Sequence, residues 1–581
     1  MARPAAEMIQ DADERQVATC GCLSARVSRP RLVAMYVLTC ETVIPLGLVW
    51  LRAAGLIGQC LAFGGAAFAL FVLRSPRDQP AARALDRTRV LIAAGALLAA
   101  AAQAAVLVLL VASFADDAVW PIGAVLGSTV GIVGLIRIAV SLVAAGAAWT
   151  GRRLPGSRAH GALLLGATAL LPITGALVSH ATDRLDGGVW LMATGALHQA
   201  AAGAWVGGLV CAASLAVRTD LDAVGGWLRP FSGLAAAAVT IIALTGIALA
   251  LAYVATPAAA VGTSYGSMVL TKIALFAVLL VLGVLNHWAL HGRVTLAGSS
   301  WPRSVSGPRA DAAASAIVWK RRVEVEAGLA LVTVFLAASI GSAPPPADVG
   351  VQPVTLAEIR SGLTPRWPRF ETPSLAELAA GAGLGDPDAP RTSEDMAWSE
   401  FGHNVSGLFV LAMGVLAMLE RTGYAPWARH WPLLIFGLAG FVAWNIDPEG
   451  WQTGVVGFWQ QLLSPEIVQH RIMLAITALF GVAEWRVRSG RHPMSRWRYV
   501  FPGVCLMAGV LLLTHVHEVG NGTSAFLMEL SHLALGLVSL VAGWSRWLEL
   551  RLATTGDSHP GRLWGPALAV FGLLLIFYRE S

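Results

Sequence analysis

Five histidines in the C-terminal third of the chain are of a type and spacing that could hold a metal: His403, His470, His515, His517 and His532. Each has a carboxylate close by. Glu400 stands three residues before His403, Glu466 four before His470, Glu518 beside His517 and Glu529 three before His532; Met528 stands four before that last ring. Spacings of three and four share a helix face. Imidazole, carboxylate and thioether projected inward from several helices are what bundles use to build metal sites. Imidazole suits copper, iron, zinc and nickel, and a Met thioether shifts the choice toward Cu(I). His515 and His517 cannot share a face, being about 200° apart on a helix, so either the helix has ended or one ring alone is a ligand. The same groups could instead satisfy one another by hydrogen bonding in a packed bundle. His180 and His198, with Asp183, Asp186 and Met192 between them, are a weaker set by spacing alone, because a buried histidine is commonly a satisfied core residue.

The elements that must position these residues are membrane helices. Of 581 residues, 56% are hydrophobic and 13% charged, against about 25% charged in an average soluble domain. Mean hydropathy is +0.65. These values exclude a disordered protein, a cytosolic enzyme and a nucleic-acid reader; the formal charge of +6 sits in short loops between apolar runs. About fifteen runs approach the roughly 20 apolar residues of a transmembrane helix. They start near residues 32, 54, 90, 131, 162, 189, 231, 267, 324, 401, 430, 466, 498, 524 and 562. The first two are separated only by Leu51–Ala54, and the eleventh is short. The fold class expected is an all-α, polytopic helical membrane protein.

Lys and Arg placement orients the chain. Most of the 41 basic residues fall in alternate loops, which puts the N-terminus in the cytoplasm and the C-terminus in the periplasm. Residues 1–31 read as a retained cytoplasmic tail. Residues 32–342 form a first membrane domain of about nine helices, 343–400 a periplasmic loop, and 401–581 a second domain of about six helices. The loop reads as a linker or as short amphipathic helices (Val354–Leu363, Leu375–Ala380) on the membrane surface. In this arrangement His403, His470, His532 and the His515/His517 pair all reach the outer leaflet, within about 12 Å of one surface.

A weak internal repeat runs through the first domain. Gly131 precedes Arg137 by six residues, and Gly266 precedes Lys272 by six. Both pairs open helices that run from outside to inside, which suggests two four-helix units in parallel. The cations either snorkel as anchors at the outer interface or serve a function. Cys20-Gly-Cys22 could hold a soft cation or be inert. There is no P-loop and no phosphorylatable Asp-Lys-Thr-Gly, so any transport would draw on gradients.

Ser179-His-Ala181, Ala196-Leu-His198, Trp205-Val-Gly-Gly208, the stretch from Tyr265-Gly266 through Lys272 to Asn286, and Val323-Glu-Val-Glu326 leading to Pro344-Pro-Pro346 resemble the copper resistance D (CopD) family of bacterial inner-membrane proteins. The resemblance covers about 160–346 well and 32–150 loosely. It implies copper handling at the inner membrane, in partnership with a periplasmic copper-binding protein, and makes His180 and His198 copper ligands. Trp205, Gly207 and Gly208 read as helix-packing positions. The six-helix extension is not part of the minimal family domain, and His403, His470, His515, His517, His532, Met528 and Glu529 rest on the depth argument.

The expected function is therefore copper binding and transport across the inner membrane, with no catalysis. Cu(I) or Cu(II) would pass through weakly held His and Met ligands near the periplasmic face. Imidazole binds metal only when neutral, so uptake should weaken as pH falls through about 6.5. Two alternatives remain open. Facing histidines could ligate b-type haem in a redox protein, or the chain could deliver copper for respiratory oxidase assembly.

Overall fold

Backbone N–H and C=O groups in hydrocarbon have no water to bond, so so apolar a chain must cross as helices or as a closed barrel. The computed structural model takes the first course. It describes residues 44–73, 79–114, 120–153, 157–184, 187–216, 221–290, 308–350, 352–381, 392–445, 465–490, 496–514, 522–553 and 559–580. Among the described residues there is no strand. In the first half the long helices are α1 (Ile44–Ala67), α2 (Gln79–Ser113), α3 (Thr129–Gly151), α4 (Arg158–Ala176), α5 (Gly188–Ala216), α6 (Leu221–Tyr253), α7 (Ser264–Leu290) and α8 (Pro308–Ile340). In the second half they are α9 (Ser393–Thr422), α10 (Leu434–Asn445), α11 (Pro465–Arg488), α12 (Val500–Thr514), α13 (Gly522–Leu552) and α14 (Trp564–Ile576).

Among the described residues, 11 helices are long and apolar enough to cross a membrane: α1 to α9, α12 and α13. The chain is an all-α polytopic membrane protein. The break expected at Leu51–Ala54 is absent, because α1 runs through it. Arg52 is carried inside the helix by a hydrogen bond from its guanidinium to Ser342 Oγ at 2.7 Å. The expected start near residue 32 falls outside the described residues. The short eleventh run becomes a 3₁₀ segment, Pro426–Leu433, followed by the 12-residue α10.

Glycines set the centre of the first half. A Cβ on Gly64 would strike the Gly203 carbonyl, and one on Gly207 would strike the Cys60 carbonyl. The same sequence offset takes Gly64 to Gly207 and Cys60 to Gly203, so α1 and α5 meet through a reciprocal contact. Only a hydrogen in place of a side chain lets the backbones approach so closely. Gly208 is covered by the Phe231 ring, and Trp205 stands edge-on to Phe276 with centroids 5.7 Å apart, so these positions do pack helices. Around this centre, α6 and α7 turn large apolar side chains outward, among them Leu244, Ile247, Leu251 and Val281, as a lipid-facing layer would.

The openings of α3 and α7 are built alike. Each follows a six-residue helix, Ile122–Gly127 or Pro257–Gly262. Each is capped by a hydroxyl, Ser128 Oγ accepting from Gly131 N and Thr263 Oγ1 from Gly266 N, both at 3.1 Å. A Cβ on either glycine would enter a carbonyl of the short helix, that of Val125 or Ala259. Six residues further on come Arg137 and Lys272.

The two halves share a core. Leu329 and Leu336 of α8 belong to one buried cluster with Leu513 of α12 and with Leu533 and Leu540 of α13. Arg551 pairs with Glu324 at 2.8 Å across the seam. At the other end, residues 343–381 act as a strap. Asp348 pairs with Arg184 at 2.5 Å, Val354 N donates to the Gly262 carbonyl at 2.8 Å, and the Val354 side chain is buried against Phe526 and Leu527. Arg579 then donates to the carbonyls of Ser361 and Thr364 at 3.1 and 3.2 Å.

Candidate metal site

α9 and α13 bring two of the expected histidines onto one aromatic ring. The His403 imidazole stacks on Tyr578, with centroids 4.1 Å apart and planes at 28°. The His532 ring meets Tyr578 edge-on, at 6.2 Å and 81°. Each histidine bonds back to its own helix: Nδ1 of His403 lies 2.8 Å from the Ser399 carbonyl and Nδ1 of His532 lies 2.7 Å from the Met528 carbonyl. A carbonyl can only accept, so both Nδ1 atoms carry the proton. The lone pair of each ring is then on Nε2, the nitrogen a metal would take.

Neighbouring groups fix this arrangement. Asn404, 2% exposed, donates through Nδ2 to the carbonyls of Leu575 and Tyr578 at 3.2 and 3.1 Å, and its Oδ1 accepts from Arg369 N at 2.7 Å. Ser399 Oγ donates to Glu580 at 2.6 Å, and Glu400 accepts from Glu580 N at 3.2 Å. The segment after α14 is thus tied to the start of α9, which is what holds Tyr578 in place. Met528 is buried and Glu529 is 3% exposed. Glu529 accepts a hydrogen bond from Ser264 at the start of α7, so this carboxylate lies on the seam between the halves.

The remaining expected ligands are apart or undescribed. His470 is on α11, but its side chain lies outside the described residues, as do His515, His517 and Cys20-Gly-Cys22. Among the described residues, no group of three or more His, Cys, Asp and Glu side chains stands close enough to hold a metal ion. His180 opens the 3₁₀ turn His180–Asp183, and its Nε2 is buried with no hydrogen-bond partner.

His198 points across α5 to Thr245 on α6, Nδ1 to Oγ1 at 2.8 Å. The Thr245 hydroxyl also lies 2.6 Å from the Ile241 carbonyl, and the His198 ring donates to the Ile242 carbonyl. The Lys272 ammonium acts electrostatically on this ring. Next to His198, Gln199 faces the opposite way. Its Oε1 accepts from Gln59 at 3.2 Å, and Gln59 accepts from Arg137 at 3.2 Å. Arg137 also donates to the Leu171 carbonyl at 2.9 Å and to Thr174 at 3.3 Å. Arg137 is 8% exposed: it turns inward rather than snorkelling to an interface.

The sequence reading missed Tyr578, Asn404, Thr245, Gln59 and Gln199. The only sequence signal for them is a polar residue inside an apolar run; Tyr578 lies after the last run and carries none.

Fold and interior together define a polytopic helical membrane protein with ionisable side chains between its spans. Residues 43–188 match the Copper resistance protein D-like N-terminal domain, and residues 225–340 match Copper resistance protein D. The first half of the chain is therefore similar to both parts of the copper resistance protein D family. Neither match extends to α9–α14, and no curated protein or solved structure matches the chain. Two of the residues that suggested the family meet in space: Asn286 of α7 donates to Glu326 of α8 at 2.6 Å, both buried.

Proposed function

We propose that the chain handles copper at the bacterial inner membrane, taking the ion from a periplasmic copper-binding protein at the face where His403 and His532 meet Tyr578, and passing it inward. The observation that carries this reading is the pair of imidazoles on one ring, both with Nδ1 committed to a backbone carbonyl. That bond sets the tautomer and the aim of each ring before a metal arrives. Two imidazoles make a weak site, as an exchange point requires. The undescribed His470, His515 and His517 are the candidates to complete it, and the buried Met528 thioether is the soft group nearby in sequence that would favour Cu(I).

The onward route runs along the seam between the halves. Glu529 and Ser264 join α13 to α7, and Lys272 lies about 12 Å along α7 from Ser264 at 1.5 Å per residue. There the ammonium faces His198, whose imidazole is the next ligand. The repulsion between Lys272 and a copper ion at His198 keeps the ion from resting there. His180, with its unpartnered Nε2, supplies a second imidazole in the first half. Uptake of copper by cells carrying wild-type protein, H198A or H403A/H532A tests the reading. Both variants are expected to lose uptake; unchanged uptake in both would contradict it.

A further inference from the structure

The end of the second half opposite His403 holds a cavity of about 450 Å³ lined largely by charged side chains. α9 carries His403 near one end and Glu420 near the other, about 25 Å away at 1.5 Å per residue, so this cavity is separate from the imidazole site. Arg488, its side chain 7% exposed, is fixed in the wall. It pairs with Glu420 at 2.5 Å and with Glu484 at 2.7 Å, and lies between the Trp431 and Trp564 rings at 5.0 and 4.8 Å. Arg546 pairs with Glu549 at 2.6 Å, and Arg421 pairs with the same carboxylate. Arg498 bonds only weakly, to Tyr499 Oη at 3.5 Å.

These pairings leave donors over. Arg488 NH2, Arg498 Nε and Arg546 Nε are all buried with no hydrogen-bond partner, and all three residues line the one cavity. Among the described residues no fully buried acceptor on its wall lacks a partner. Four arginines face two glutamates on the wall, with Glu484 behind, so the cavity is net positive. A buried guanidinium N–H without an acceptor is costly, and the planar guanidinium fork fits an oxyanion bidentately. Tyr424, Trp427 and Trp497, all strongly exposed at this end, form the kind of aromatic belt found at headgroup level.

We propose that this cavity is an oxyanion site for a phosphate group, presented by an acidic phospholipid of the adjoining leaflet or as free phosphate. Basic pockets between helices at this level are where such headgroups bind. The full-length protein is reconstituted in phosphatidylcholine alone or with an equal part of phosphatidylglycerol, re-extracted in neutral detergent, and its retained lipid counted by mass spectrometry. In parallel, inorganic phosphate is titrated against thermal unfolding in detergent. Wild type is expected to retain phosphatidylglycerol selectively. Arg498→Gln, which removes an unpartnered donor without breaking an ion pair, should hold it about tenfold more weakly. Leu550→Glu, which places a carboxylate on the wall, should lose it while still folding. Stabilisation by phosphate without lipid selectivity assigns the site to the free ion. No response to either probe, or equal binding by wild type and Leu550→Glu, overturns the proposal.

Discussion

The His403 ring lies nearly parallel to the Tyr578 ring, with centroids 4.1 Å apart, although 175 positions of sequence separate them. His532 reaches the same tyrosine from a second helix, α13, at 6.2 Å. Tyr578 is therefore the common surface that sets the spacing of two imidazoles, each already aimed by a bond to its own helix. Tyr578→Phe keeps that surface, and copper retention should stay within about twofold of wild type; Tyr578→Leu removes the ring face and should weaken retention about tenfold. Equal retention in the two variants would show that the ring does not position the histidines.

Glu529 should matter for passage more than for capture. It is buried on the seam and bonded to Ser264. Glu529→Gln preserves the shape but removes the charge, and copper uptake by cells should fall about tenfold. Copper bound to the purified variant should be unchanged. Loss of binding and uptake together would place Glu529 within the first site.

The reciprocal glycine contact makes a coupled prediction. Gly64→Ala and Gly207→Ala each push a Cβ into a backbone carbonyl of the other helix, and each should destabilise the protein by about 1–3 kcal/mol. Together they should cost less than the sum, since either one already separates α1 from α5. Thermal unfolding in detergent reads both values; strict additivity would mean the two contacts are independent.

The strap has its own pH limit. Glu358 is bonded by the Thr355 hydroxyl and by Thr355 N, at 2.7 and 2.8 Å, and these bonds, the hydroxyl first, hold its carboxyl below the usual value. A lowered folded pKa gives stability that is present above the unfolded value and lost as pH falls through the folded one. Residues 343–381 should therefore resist limited proteolysis at neutral pH and become sensitive only in acid, as pH falls through the lowered value of the Glu358 carboxyl. Thr355→Ala should be sensitive at pH 7. Resistance in that variant would mean the Asp348 and Val354 contacts hold the strap unaided.

Helix type and most span positions were legible because hydrocarbon leaves no other way to satisfy the backbone. Gly131–Arg137 and Gly266–Lys272 were legible as matched spacings, because a glycine three residues into a helix and a cation on the next turns leave a pattern along the chain. Arg52 misled, since a charge inside an apolar run looks like a boundary until Ser342 is seen to accept from it. Arg137 was left open between an interfacial anchor and a functional role, because nothing near it in sequence announces Gln59, Thr174 or the Leu171 carbonyl. Of the expected ligands, depth along the chain placed His403 and His532 at one end of the bundle, where both rings meet Tyr578. Tyr578 was invisible, because its place depends on Asn404 catching the carbonyls of residues 575 and 578.

The most direct test of copper capture at the outer face is metal analysis of the purified, full-length protein after Cu(I) loading and desalting, wild type beside the H403A/H532A double variant. Wild type should retain copper, and the double variant should lose most of it while keeping its thermal unfolding midpoint. Equal copper in the two proteins would contradict ligation by these imidazoles.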